Sequence, residues 1–144
     1  MTQIPVYYYS SVSNLTRRFA EHLAARDGRP VRDLADPEVR RSEAPAHWVL
    51  LTPSYKAGNA DEVTLPAPVR AFLRSAVNRR RLVGIIGSGN RNFGTYYQAA
   101  ARELAEISGR PILFEFELSG TPEDVARCAE ILHQMDEALD SAND

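Results

Sequence analysis

Short runs of apolar residues, separated by stretches with helical periodicity, are the main pattern along this chain. Four runs are strong, at residues 6–9, 48–51, 82–86 and 112–114, and a weaker one lies at 31–34. Runs that are apolar throughout, without alternation, are typical of strands buried on both faces of a parallel sheet. The pattern therefore predicts a parallel sheet with a helical layer on each side.

Four further segments carry an apolar stripe at helical spacing. The stripes comprise Leu15, Phe19 and Leu23; Val69, Phe72, Leu73, Ala76 and Val77; Tyr97, Ala100, Ala101, Leu104 and Ile107; and Val125, Cys128, Leu132, Met135 and Leu139. The last helix has a clear start, because Thr121 can cap it and Pro122 suits the first helical position. The segment 35–47 is short and interrupted by proline, so one crossover is expected to be reduced. Alternating strands and helices predict an α/β domain with right-handed crossovers.

The length of 144 residues leaves room for one hydrophobic core and a cofactor pocket, without a separate substrate domain. We therefore expect a single domain over residues 1–144, with residues 140–144 as a frayed tail. Cys128 is the only cysteine, which excludes an intramolecular disulfide and makes a cysteine metal site unexpected. His22, His47 and His133 are scattered, and we expect no metal ligand among them.

The charge balance argues against a nucleic-acid partner. The chain has 17 Lys and Arg against 19 Asp and Glu, a formal net charge of -2, whereas nucleic-acid binders usually carry a basic surplus. No apolar stretch approaches the roughly 20 residues that span a bilayer, and the N-terminus reaches polar Ser10 after a short apolar run. We therefore expect a cytoplasmic protein without a signal peptide or membrane contact.

Ligands of open α/β sheets bind beyond the carboxyl ends of the strands, which directs attention to three loops. The first contains Ser10, Ser11, Ser13 and Thr16 and leads directly into a helix. A phosphate there would meet the free N–H groups of the first helical turn and several hydroxyls. The loop has no lysine, so it is not a Walker A loop. The alternative interpretation is an ordinary N-cap turn.

The second and third loops have the composition of a site for a flat ligand. Residues 52–60 include an aromatic ring, the only lysine of the chain and Gly58, which permits backbone conformations closed to other residues. Residues 87–94 hold three glycines and Phe93, a ring suited to stacking. The third loop nearly matches G-x-G-x-x-G, but Asn92 occupies the last glycine position, so a dinucleotide fingerprint is not expected. A response regulator would need an aspartate where residues 52–54 read Thr-Pro-Ser.

Four segments together resemble the NrdI family, the flavodoxin-like partners of class Ib ribonucleotide reductases. They are YYSS at 8–11, PSY at 53–55, SGNRNFG at 88–94 and FELSGT at 116–121. The resemblance spans nearly the whole chain, and the last two segments are fairly specific. It implies a flavodoxin-like three-layer sandwich, in which a five-stranded parallel sheet of order 2-1-3-4-5 has helices on both faces.

The resemblance also implies FMN as the cofactor, with no catalytic residue beyond it and no metal. Its phosphate would be held by Ser10, Ser11, Ser13, Asn14, Leu15 and Thr16. Its ring would lie beside Ser54, Tyr55, Lys56 and Gly58 on one side and Ser88, Gly89, Asn90, Asn92, Phe93 and Gly94 on the other. The chain departs from the family at Leu15, where asparagine is frequent, so that contact is main-chain only. It also departs at 56–62, which is bulkier and more charged than the glycine run of some members.

The function implied by the resemblance is that reduced FMN reacts with O2 and delivers a superoxide-type oxidant to the dimanganese site of the reductase small subunit. The tyrosyl radical of that subunit can then form. The partners would be the small subunit, an unidentified flavin reductant and O2. The protein would act as a redox accessory protein and not as a stand-alone enzyme. An alternative is a general electron-transfer flavodoxin, although such carriers tend to be more acidic than this chain. A third is an interaction module that binds no cofactor.

Overall fold

The computed structural model describes residues 2–11, 13–53, 55–56, 63–89 and 99–143. Its strands are β1 Val6–Tyr8, β2 Val31–Asp33, β3 Trp48–Pro53, β4 Tyr55–Lys56, β5 Val63–Thr64, β6 Leu82–Gly89 and β7 Ile112–Glu117. Its helices are α1 Leu15–Asp27, α2 Pro37–Arg41, α3 Ala67–Phe72, α4 Ala76–Arg81, α5 Ala99–Ser108 and α6 Pro122–Asn143. None of the helices in this part of the chain combines the length and the apolar character needed to cross a membrane.

Five strands form one parallel sheet in the order β2-β1-β3-β6-β7. Numbered without the small β4–β5 hairpin, this is the order 2-1-3-4-5, so the predicted topology is confirmed. The chain moves outward in one direction from β1 to β2 and in the other direction from β1 through β3 to β7. The loops that follow β1 and β3 therefore leave the sheet at a point where the strand order reverses, the usual position of a ligand in this class of sheet.

Side chains from each central strand enter two cores, one on each face of the sheet. Along β3, Val49 and Leu51 pack with α1 and α6, whereas Trp48 and Leu50 pack with Phe72 of α3 and its neighbours. All four of these β3 residues are fully buried. Because successive side chains of a strand point to opposite faces, burial of both faces requires an uninterrupted apolar run. The interpretation of the runs as doubly covered strands is confirmed.

The apolar stripe from 69 to 77 predicts one helix, and this prediction is wrong, because the segment forms two. The side chain of Ser75 accepts a hydrogen bond from the backbone N–H of Asn78 and so starts α4. The guanidinium of Arg79 donates to the carbonyls of Leu73 and Arg74, at distances of 2.7 and 2.8 Å, and so satisfies the end of α3. Periodicity continues across the break because both helices cover the same core.

Asn78 holds this helix pair to the chain that enters β3. Its amide oxygen accepts from the N–H of Ala44 at 2.8 Å, and its amide nitrogen donates to the carbonyls of Ser42 and Phe72. Its own carbonyl accepts from the indole of Trp48 at 2.8 Å. A buried amide that meets this many backbone groups fixes their relative positions, since each unpaired group would be costly.

The remaining helices follow the sequence with two differences, at Ile107 and at the end of α6. Helix α2 has only five residues, which confirms the reduced crossover. On α5, Ile107 is 76% exposed, although the stripe predicts that it faces the core. Helix α6 starts as expected, since Thr121 Oγ1 accepts from the N–H of Asp124 and the Asp124 carboxylate accepts from the N–H of Thr121. It then stays helical to Asn143, where the sequence predicts a frayed tail.

A buried ion pair joins three segments at the amino-terminal edge of the sheet. Arg29 and Asp136 are only 2% and 1% exposed, and they form two parallel hydrogen bonds of 3.0 and 2.8 Å. The same groups bind the backbone of Ile4, whose N–H donates to Asp136 at 2.8 Å and whose carbonyl accepts from Arg29 at 2.7 Å. Burial lowers the pKa of Arg29, but Asp136 and Asp27 outweigh it and hold that pKa above its ordinary value.

Candidate functional site

The predicted site loops leave the sheet from three adjacent strands. In the sheet register, Tyr8 near the end of β1 pairs with Leu51 of β3, and Pro53 at the end of β3 pairs with Ser88 of β6. The backbone N–H of Tyr9 still bonds to the carbonyl of Leu51 just beyond β1. The carboxyl ends of β1, β3 and β6 therefore form one edge, from which all three loops begin.

The first loop is a tight turn held by its own hydroxyl groups. The hydroxyl oxygens of Ser11 and Ser13 lie 2.9 Å apart, and the N–H of Asn14 donates to the carbonyl of Ser11 at 2.9 Å. Asn14 has φ 60°, a left-handed conformation that asparagine tolerates better than most residues. Ser10 accepts from the N–H of Arg17 at 3.1 Å. The turn thus brings three serines around the start of α1.

The first turn of α1 offers unpaired donors to an anion. The backbone N–H groups of Leu15 and Thr16 have no acceptor within the described part of the chain, and Asn14 makes no side-chain cap. The first turn contains no acidic residue, whereas Arg17 and Arg18 follow directly. Free N–H groups and the positive end of the helix dipole favour a bound anion. In an ordinary N-cap turn a side chain would occupy these donors, whereas here Asn14 makes no side-chain cap and leaves them available to an anion.

One hydroxyl of the predicted phosphate site also bonds to a second predicted site residue. Thr16 Oγ1 and Ser88 Oγ lie 2.9 Å apart, and their residues are only 5% and 2% exposed. The two residues are 72 positions apart, one in the first turn of α1 and the other near the end of β6, so no local sequence signal could have paired them. Their bond satisfies both buried hydroxyls and fixes the start of α1 against the end of β6.

The second loop starts on a short hairpin that the sequence interpretation missed. Tyr55 and Lys56 form β4, which pairs antiparallel with β5, so that Tyr55 faces Thr64 and Lys56 faces Val63. The β-branched Val63 and Thr64 were the available signal. Of the predicted residues on the second and third loops, six lie outside the described part of the chain. They are Ser54, Gly58, Asn90, Asn92, Phe93 and Gly94.

A turn after β7 adjoins the site and was not predicted as part of it. Leu118 donates its N–H to the carbonyl of Gly89 at 2.9 Å, has φ 55° and is 49% exposed. The N–H of Gly120 closes the turn on the carbonyl of Glu117 at 2.9 Å. Gly120 has φ +71°, and a Cβ there would lie 2.7 Å from Phe19 Cδ2. The glycine is therefore required by both backbone conformation and space.

Cys128 is fully buried in α6, and burial raises the pKa of its thiol to about 12. Because the thiolate is the reactive form, we expect no reaction of the native protein with an aromatic disulfide reagent on the timescale of minutes. Raising the pH from 7 to 9 should accelerate labelling of free cysteine but leave Cys128 unlabelled, and denaturant should expose one thiol. Rapid labelling of the native protein at pH 9 would contradict this role as a core residue.

The strand order and the helices on both faces of the sheet define a flavodoxin-like protein. The chain is similar to a short-chain flavodoxin associated with a PDU bacterial microcompartment, with a TM-score of 0.64 and 15% identity over 96% of this chain and 99% of that one. The family model described as "NrdI Flavodoxin like" matches residues 6–130, and the chain belongs to this family. It is 41% identical over 120 residues to Protein NrdI of Bartonella tribocorum, covering 83% of this chain and 86% of that protein. It is 40% identical over 118 residues to Protein NrdI of Escherichia coli O127:H6, covering 82% and 83%.

Proposed function

We propose that this protein binds FMN and supplies the oxidant with which a class Ib ribonucleotide reductase assembles its dimanganese-tyrosyl radical cofactor. Membership of the family implies a flavin cofactor, a redox role and an association with ribonucleotide reductase. The identity of the flavin as FMN and the supply of a superoxide-type oxidant are the parts that we propose. The observation that carries the proposal is the cluster of serine hydroxyls and backbone N–H donors where the chain after β1 enters α1.

The phosphate of FMN fits this cluster by charge and by hydrogen bonding. In the pair formed by Ser11 and Ser13, one hydroxyl donates to the other, which leaves one proton for a phosphate oxygen. The N–H groups of Leu15 and Thr16 add two backbone donors along the helix axis. In this arrangement Ser10 and Asn14 shape the turn, and the Thr16 hydroxyl fixes it to β6. A dianion gains more from such donors than a neutral group does.

The flavin ring is proposed to lie over the carboxyl ends of β3 and β6. The hairpin that starts with Tyr55 and Lys56 would flank one side, and Ser88 and Gly89 with the residues that follow them would flank the other. The remaining predicted contacts, which lie outside the described residues, are Ser54, Gly58, Asn90, Asn92, Phe93 and Gly94. When bound, FMN supplies the redox chemistry, and the residues of this chain bind, orient and shield it.

Titration of the flavin-free protein with FMN and with riboflavin tests the binding site. We expect a yellow complex with FMN, quenched flavin fluorescence and an affinity at least tenfold higher than for riboflavin, which lacks the phosphate. Comparable affinities for the two flavins would argue against the phosphate site at α1. A protein that stays colourless with both would overturn the proposal and favour a cofactor-free interaction module.

Mixing the reduced protein with a manganese-loaded class Ib small subunit and O2 tests the proposed role. We expect a tyrosyl radical signal in electron paramagnetic resonance, whereas free reduced FMN at the same concentration should give much less. A protein that binds FMN but produces no more radical than free FMN would be assigned to the alternative class, the general electron-transfer flavodoxins.

A further inference from the structure

Arginines are concentrated in helices α2, α3 and α4 and in the turns beside them. Residues 37–43 and 67–81 together hold seven arginines and two glutamates, although the whole chain has a net charge of -2. The arginines are Arg40, Arg41, Arg70, Arg74, Arg79, Arg80 and Arg81. Arginine near the end of a helix can bind exposed carbonyls and complement the helix dipole, which is the simplest explanation of such a cluster.

That explanation accounts for three of the seven. The guanidinium groups of Arg40, Arg79 and Arg81 donate to backbone carbonyls at helix ends and in the neighbouring turns. The guanidinium groups of the other four have no hydrogen-bond or ion-pair partner within the described part of the chain, and all four residues are exposed. They are Arg41, Arg70, Arg74 and Arg80.

Two of these four, Arg41 and Arg74, line a groove of about 320 Å³ between the end of α2 and the turn that joins α3 to α4. Arg40 and Ser75 also line this groove. The hydroxyl oxygen of Ser75 accepts the backbone hydrogen bond that starts α4, but its own proton has no acceptor in the part of the chain that the structure describes. The groove therefore combines unneutralised positive charge with a free neutral donor.

The groove is separate from the candidate site for FMN. Helix α2 leads to the start of β3, and α4 continues directly into β6, so the groove lies toward the amino ends of strands whose carboxyl ends carry the site loops. Its apolar lining consists of Ala71 and Phe72, and Phe72 is only 1% exposed. Sites for small molecules are usually mostly apolar, so this composition favours a ligand that is held by charge.

We propose that this groove binds a small anion of the di- or triphosphate class, a site that is independent of the proposed function. Arg41 and Arg74 come from two different segments, and a guanidinium can hold two phosphate oxygens in parallel hydrogen bonds. Glu43 also lines the groove and opposes an anion, but three arginines outweigh it. The volume lies at the lower end for small-molecule sites, which suits a short phosphate chain. A nucleoside triphosphate and inorganic tripolyphosphate both carry this group.

Calorimetric titration of the FMN-loaded protein with sodium tripolyphosphate, at constant ionic strength and without divalent cations, tests the site. We expect one bound anion per chain, and the double variant Arg41→Gln, Arg74→Gln should weaken binding at least about tenfold. Its melting temperature should stay within about 3 °C of wild type, because both side chains are exposed and unbonded. Flavin-free Ser11→Asp, in which the turn before α1 repels anions, should bind tripolyphosphate equally well.

Arg70→Gln and Arg80→Gln are matched controls, since each removes an exposed arginine of the same helices that does not line the groove. Each should change the affinity for tripolyphosphate less than about threefold. Glu43→Gln removes the carboxylate from the groove and should strengthen binding about threefold, whereas Glu38→Gln, on the same helix but outside the groove, should have no effect.

Equal weakening by Arg70→Gln and Arg74→Gln would show that the anion responds to the charge of the whole surface, and it would overturn the site. No binding by wild type up to about 1 mM tripolyphosphate would do the same. Loss of binding in Ser11→Asp would place the anion at α1 and also overturn the proposal. Titration with ATP identifies the ligand: an affinity at least about tenfold above that of tripolyphosphate indicates a nucleotide, and equal affinities indicate the phosphate chain alone.

Discussion

Asp136→Ala is expected to lower the free energy of unfolding by about 3–5 kcal/mol, because it removes the buried partner of the Arg29 guanidinium and leaves only Asp27, which is partly exposed, to balance its charge. The loss should be this large because Asp136 also accepts from the N–H of Ile4, so a second buried donor is left unpaired. Urea denaturation measures the change in the free energy of unfolding, provided that its dependence on urea concentration has the same slope in both proteins. Under conditions in which the variant is fully folded, its affinity for FMN should be unchanged, since the ion pair lies at the opposite edge of the sheet from the candidate site.

Two controls identify burial as the cause of this effect. Glu130→Ala removes an exposed carboxylate that lies 3.4 Å from Arg127, and it should cost less than about 0.5 kcal/mol. The double variant Arg29→Met, Asp136→Leu replaces the buried pair with apolar groups, and it should recover only part of the loss, because the N–H and the carbonyl of Ile4 remain without their partners. A loss below about 1 kcal/mol for Asp136→Ala would show that water reaches Arg29 in the folded protein.

Ser11→Asp is expected to weaken FMN binding about 10³-fold. A carboxylate about 4 Å from the phosphate repels it by roughly 4 kcal/mol at an effective dielectric constant near 20, and about 1.4 kcal/mol corresponds to a tenfold change in affinity. The substitution also removes the hydroxyl that pairs with Ser13. Fluorescence titration of the flavin-free variant gives the dissociation constant directly.

Riboflavin provides the control for this substitution. It has the same ring but no phosphate, so its affinity should change less than about threefold in Ser11→Asp. Ser11→Ala removes the hydroxyl without adding charge, and it should weaken FMN binding by about 10- to 100-fold, the range of a hydrogen bond to a charged group. Equal weakening of FMN and riboflavin by Ser11→Asp would mean that the loop has collapsed and would remove the evidence for a phosphate at this position.

The parallel sheet could be predicted from the sequence because the central strands contain uninterrupted apolar runs, whereas the strand order was implied only by the resemblance to the NrdI family. In β3, the neighbouring residues Trp48 and Val49 belong to different cores, so both are apolar and the run is uninterrupted. The start of α6 was also readable, since the capping residues Thr121 and Asp124 are close in sequence. The break between α3 and α4 could not be predicted, because the apolar stripe continues across it. The end of α3 and the start of α4 are evident only from the contacts of Asn78 and Arg79.

The turn proposed to bind the phosphate could be located from its composition, but its hydrogen bonds could not be predicted. Several hydroxyl residues directly before a helix predict an anion site, and this prediction does not depend on which of the hydroxyls contacts the anion. The sequence could not show that Thr16 would bond to Ser88, nor that Arg29 would meet Asp136, which is 107 residues away. Leu118 was missed for another reason. Its left-handed backbone conformation depends on contacts with Gly89 and Gly120, and leucine itself gives no signal of it.

The β4–β5 hairpin has a consequence for how members of this family can diverge. Because the pairs formed by Tyr55 with Thr64 and Lys56 with Val63 fix both ends of the intervening chain, insertions or deletions between them need not disturb the sheet. Doubling the length of such a segment costs only about 0.6 kcal/mol of closure entropy. The chain beside the proposed flavin can thus change in length, bulk and charge during evolution while its two attachment points stay in place.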